Sequence, residues 1–92
     1  ITAATANAFS GQKLFIDTSS NPITVTLPSA PAVGDEISFM DVADNFDNNA
    51  LTINPNGKKV FGATGNGTVS TEGAAFTIVF TGNTHGWKLT EK

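Results

Sequence analysis

The sequence predicts an all-β fold: a small antiparallel β-sandwich, jelly-roll-like, of about eight short strands. Three observations lead there. The segment Ile23 to Leu27 alternates, with Ile23, Val25 and Leu27 on one side and Thr24 and Thr26 on the other, the period-2 pattern of a strand with one buried and one wet face. Strand-like runs recur about every 8–12 residues, the spacing of sandwiches and barrels. No segment carries a useful helical period, and Thr-rich, β-branched runs broken by Gly and Asn favour sheet.

The elements follow in order. Residues 1–12 are small and polar apart from Ile1 and Phe9, and read as an N-terminal arm or linker ahead of a single β-sandwich domain, residues 13–92. Small residues also suit an arm laid as a strand on a neighbouring subunit's edge. Lys13 to Asp17 is the first expected strand and Ile23 to Leu27 the second, joined by the tight polar turn Ser19-Ser20-Asn21-Pro22. Glu36 to Val42 is the third. Its apolar residues fall on both faces, Ile37 and Phe39 against Met40 and Val42, which implies burial of both faces or a bulge that switches the phase. Pro28-Ser29-Ala30-Pro31 precedes it and interrupts pairing, because proline lacks the amide donor. Leu51 to Asn54, Lys59 to Phe61 and Thr68 to Thr71 are short strands, punctuated by Pro55-Asn56-Gly57 and Gly65-Asn66-Gly67. Ala74 to Thr81 has the strongest pattern, with Phe76, Ile78 and Phe80 on one side. After Gly82-Asn83, Trp87 to Thr90 closes the domain.

Composition narrows the function. A chain of 92 residues makes one small domain, which buries only about 60–65% of its unfolded surface and gains from association with identical copies. There is no cysteine, so disulfides, thiolate metal sites and a cysteine nucleophile are excluded. The net charge is −3 and there is no arginine, the favoured side chain for phosphate and base contacts, so no nucleic-acid partner is expected. No apolar run approaches membrane-spanning length, and no membrane insertion is expected. The chain begins at Ile1 rather than Met and reads as a fragment or processed form.

The inventory for catalysis is thin: one histidine, and no cysteine, tyrosine, arginine or nucleophile-elbow motif. No catalytic residue, cofactor or metal site is assigned. Asp41 to Asn49 (DVADNFDNN) offers the hard oxygens that Ca²⁺ prefers, but its spacing is not that of an EF-hand, and it reads as a solvated turn whose Asp and Asn side chains bond nearby backbone. Asp35 and Glu36 follow Gly34 at a strand start and, being adjacent, point to opposite faces. Asn66-Gly67-Thr68 matches the N-glycosylation sequon, which has meaning only in a eukaryotic secretory setting. The candidate ligand contacts are Trp87, His85 and Asn83. An exposed Trp87 can stack on the apolar face of a sugar while His85 or Asn83 hydrogen-bonds hydroxyls. The competing reading, which is preferred, makes Trp87 the one large core aromatic and His85 a loop residue.

The order of the elements carries a resemblance. LFIDTSSNPITVTLP is followed by PSAPAVGDEISFMD, NNALTINPNGKKVFG, AAFTIVFTG and a closing Gly-Trp. This succession, over roughly Phe9 to Leu89, resembles small β-rich domains of tail fibres and other virion appendages of tailed bacteriophages. Ala50 separates Asn49 from Leu51, and phenylalanine stands where such domains often carry tyrosine. The resemblance implies a non-enzymatic virion structural protein involved in host-surface attachment. Its partners would be further copies of itself, a trimer above all, other virion proteins, and a host cell-surface glycan. Without a collagen-like or fibrous repeat, a globular knob or decoration module is expected rather than a shaft. The alternatives are a capsid decoration or cement protein, a carbohydrate-binding module, and a bacterial surface-fibre subunit.

Overall fold

Alternating side chains sort the chain into eight strands: β1 (Thr5–Asn7), β2 (Lys13–Ile16), β3 (Ile23–Thr26), β4 (Glu36–Asp41), β5 (Leu51–Asn54), β6 (Gly67–Val69), β7 (Ala75–Phe80) and β8 (Trp87–Glu91). The computed structural model describes residues 1–62 and 64–91, Glu91 by its backbone alone. The strands form two four-stranded sheets, β1-β3-β5-β6 and β2-β4-β7-β8, stacked as an all-β sandwich.

Within the sheets the pairing is mixed, which corrects the expectation of an antiparallel, jelly-roll-like arrangement. β1–β3, β2–β4 and β3–β5 are parallel, while β4–β7, β5–β6 and β7–β8 are antiparallel. The cause lies in the connections. From β1 to β5 each connection crosses to the opposite sheet and reverses the chain's direction. Two reversals return a strand beside the strand two before it, pointing the same way. Parallel neighbours require a crossover of this kind, whereas tight hairpins give antiparallel ones. Half-buried alternation suggested antiparallel pairing because parallel sheets are mostly covered on both faces. Here they are covered on one.

Residues 1–12 are part of the sandwich rather than an arm ahead of it. β1 pairs in register with the chain's own β3, Thr5 beside Thr24 and Asn7 beside Thr26. The Ile1 amino group donates to Phe15 O at 2.6 Å, and Asp17 N donates to Ile1 O at 2.9 Å. The first residue thus borders β2, and β1 borders β3, so the N-terminal segment touches both sheets.

The core follows the alternation. Ile16, Ile23, Val25, Leu27, Ile37, Phe39, Leu51, Ile53, Ile78 and Phe80 point between the sheets and are buried. Phe39 stacks on Phe76 with centroids 5.1 Å apart. In β4 neither both-face burial nor a bulge occurs: Met40 and Val42 are exposed, and Asp41 takes the inward position beyond Phe39. The register shift lies instead in β8, where Ile78 pairs with Leu89 and Thr77 with Glu91. Lys59 to Phe61 is not a strand but a single parallel bridge between Val60 and Trp87. At Gly67 in β6 a Cβ would lie 2.6 Å from the ring of Phe61, so any side chain there would push that partly exposed ring aside.

Candidate functional site

The residues singled out for ligand contact do not share one surface. Trp87 is fully buried, its ring centroid 5.4 Å from that of Phe80 and tilted at 56°. Its faces lie inside the core, so a sugar cannot stack on it, and the buried reading of Trp87 holds. The backbone enforces this position. Trp87 N donates to Lys59 O at 2.8 Å, and that carbonyl passes so close to Gly86 that a Cβ would stand 2.3 Å from it. Gly86 also has φ +71, a conformation glycine adopts without steric cost. His85 and Asn83 are exposed on the turn between β7 and β8, which is closed by Thr81 N to Gly86 O at 2.9 Å and Gly86 N to Gly82 O at 2.8 Å.

The acidic stretch is built around one buried carboxylate. Asp41, only 3% exposed, accepts the backbone amides of Asn45 (3.1 Å) and Phe46 (3.0 Å), and of Gly73 from across the fold (3.1 Å). Burial pushes its pKa up, but the amides of Phe46, Asn45, Gly73 and Ala43 outweigh this and hold it below the ordinary carboxylate range. The asparagines serve the same loop: Asn45 and Asn49 both donate through Nδ2 to Thr18 O, at 3.0 and 2.9 Å. Phe46 is fully buried and anchors the loop in the core. Asp44 and Asp47 are exposed, and among the described residues no three His, Cys, Asp or Glu side chains cluster as metal ligands. Asp35 caps its own turn, its carboxylate accepting Ala32 N at 2.9 Å, while Glu36 is exposed.

The two outward sheet faces differ sharply. On the first sheet the register aligns Thr5, Thr24, Thr52 and Thr68 across all four strands, with Asn7, Thr26 and Asn54 in the next row. This face is uncharged, and its hydroxyls and amides repeat from strand to strand. On the second sheet three rows cross β2, β4 and β7 or their neighbour β8: Phe15–Met40–Ala75, Lys13–Ser38–Thr77, and Glu36–Val79–Lys88. Phe15 is 59% exposed, Met40 42% and Val42 47%. Beside them Ser38 Oγ and Thr77 Oγ1 are hydrogen-bonded at 2.9 Å. Phe15, Met40, Ser38 and Thr77, with Lys13, Glu36 and Thr90, line a shallow cleft of about 480 Å³, within the range of small-ligand sites. Sequence reasoning did not single out Phe15, although a signal was present: in Lys13-Leu14-Phe15-Ile16 strict alternation puts Phe15 on the wet side with Lys13.

No family model matches this chain, and no curated protein matches it. Among solved structures it is similar to a chain in the structure of a chaperone–substrate complex, with 10% identity and a TM-score of 0.59. The match covers 98% of this chain and 14% of that one. At such identity the likeness speaks for the fold alone.

Proposed function

We propose that this chain is a non-enzymatic structural domain of a tailed-bacteriophage virion appendage, a tail fibre or related projection, that attaches to the host surface as part of a homotrimer and alongside other virion proteins. The order of motifs from Phe9 to Leu89 supports the setting. The observation that carries attachment is the outward face of the second sheet, where exposed Phe15, Met40 and Val42 adjoin a hydroxyl-lined cleft. Exposed apolar groups rimmed by polar ones mark interaction sites. Weak contacts repeated on a rigid oligomer give an avidity that a single site lacks.

The rival reading as a carbohydrate-binding module rested on an exposed Trp87, and the burial of Trp87 removes that support. Capsid decoration is separated from tail attachment by location. Antibody labelling of intact particles is expected to mark the tail; labelling of the capsid shell would transfer the domain to the cement class, and absence from particles would overturn the virion reading. Light scattering is expected to give a trimer mass, and a monomer at micromolar concentration would count against a trimeric knob.

A further inference from the structure

We infer that the cleft on the outward face of the second sheet is a saccharide-binding site, with Phe15 as the stacking platform and the Ser38–Thr77 hydroxyl pair as the polar contact. This rests on the attachment reading and names its ligand class and residues. Each hydroxyl has one donor and two acceptor lone pairs. The Ser38–Thr77 bond uses one donor and one acceptor, so the pair keeps one free O–H and several lone pairs. Sugar hydroxyls likewise donate and accept, so the two sets are complementary. Thr90, which lines the same cleft, has its hydroxyl turned to Thr77 O at 3.2 Å, which leaves its oxygen as an acceptor.

Phe15 lies two residues along β2 from Lys13, which is in register with Ser38. Phe15 and Ser38 are diagonal neighbours on adjacent strands, about 7–8 Å apart, and Thr77 lies one strand further, so a disaccharide, with one pyranose ring flat on Phe15 and the next over the hydroxyls, spans the site. The C–H-rich face of such a ring suits the electron-rich face of Phe15. Lys13 and Glu36 supply one charge of each sign at the cleft, so the site does not select a polyanion, and either side chain can hydrogen-bond a neutral or amino sugar.

A cleft of about 480 Å³ lined by one exposed aromatic ring and several hydroxyls matches a short saccharide in size and in polarity.

The test is a printed array of bacterial oligosaccharides probed with the intact chain displayed on beads, so that weak single-site binding registers through avidity. Hits are then titrated in solution while amide NMR shifts are followed. Shifts are expected at Lys13, Phe15, Ser38 and Thr77. Phe15→Ala should weaken binding several-fold to about tenfold, the size of one aromatic contact. Thr77→Val should weaken it less, and His85→Ala and Thr24→Val not at all. No bound saccharide, binding indifferent to Phe15→Ala, or self-association abolished by Phe15→Ala in place of sugar binding would each overturn the inference. Particle labelling is independent of these outcomes, so the virion reading can stand while the saccharide site falls.

Discussion

The first sheet is wound and uniform; the second is hairpin-closed and varied. In β1-β3-β5 every neighbour arrives after a trip through the opposite sheet, and the outward side chains are Thr and Asn from row to row. In β4-β7-β8 the strands are longer, β7 and β8 join by a short turn, and the outward side chains include aromatic, thioether, hydroxyl and both charges. Both sheets seal the same core, so the inward positions are alike. Only the outward positions were free to diverge, and the second sheet is where diversity of chemistry collects. A regular polar face stabilises a sheet through cross-strand pairs; a face that recognises a ligand needs unlike groups brought together.

This contrast can be broken at four points, from the largest effect to the smallest. Trp87→Ala should cost about 3–5 kcal/mol through the cavity it leaves in the second sheet, a large share of the roughly 5–14 kcal/mol expected for a domain of this length. Urea unfolding measures it, and a loss below about 1 kcal/mol would deny Trp87 its anchoring role.

Asp41→Asn comes next. The carboxylate accepts amides from its own loop and from Gly73, and its removal should cost about 1.5–3 kcal/mol at neutral pH. Because the folded-state pKa of Asp41 is depressed, its contribution is complete above the unfolded carboxylate value and is lost as pH falls through the lower folded value. The native chain should therefore lose stability below about pH 4, and the variant should show a shallower acid slope. Equal slopes would mean the acid sensitivity lies elsewhere.

Removal of residues 1–7 strips β1 and exposes the edge of β3. A loss of about 1–2 kcal/mol is expected from the few backbone hydrogen bonds involved. Amide exchange should quicken in β3 and stay slow in β7; uniform quickening would show that the sheets do not open separately. Last, Phe15→Ala and Thr52→Val, one on each outward face, should each change stability by no more than about 0.5 kcal/mol. A larger loss for Phe15→Ala would make it a packing residue and weaken its claim as a platform.

Much of this fold was legible because a strand with one buried face declares itself residue by residue. Ile23, Val25 and Leu27, and Phe76, Ile78 and Phe80, are inward as their spacing implies, and the buried Trp87 closes the core. Pairing direction was not legible. Alternation says which side chains face inward, whereas direction depends on which sheet a connection enters, and the loops after Asn7, Ile16, Thr26 and Asp41 do not declare that. β1 was hidden because Thr5, Ala6 and Asn7 bury little and carry no apolar alternation. Met40 and Val42 misled because apolar residues on both faces of a strand suggest burial of both faces or a bulge, whereas here both side chains are simply exposed on the outward face. The candidate site was obscured for a related reason: its residues come from β2, β4, β7 and β8, and only their register brings them together.

The crossing connections have a consequence for how the chain acquires its structure. β1, β3 and β5 are complete once Asn54 has been made, so the first sheet can begin to assemble while the ribosome is still extending the chain. The second sheet has only the β2–β4 pair at that stage and waits for β7 and β8. Until the last strands emerge, the inward side chains of the early sheet lack their full cover. Distant pairings of this kind slow folding, because loop closure must precede the contacts that reward it. The inward face of the first sheet is expected to stay partly uncovered until β7 and β8 pair onto β4 and complete the second sheet.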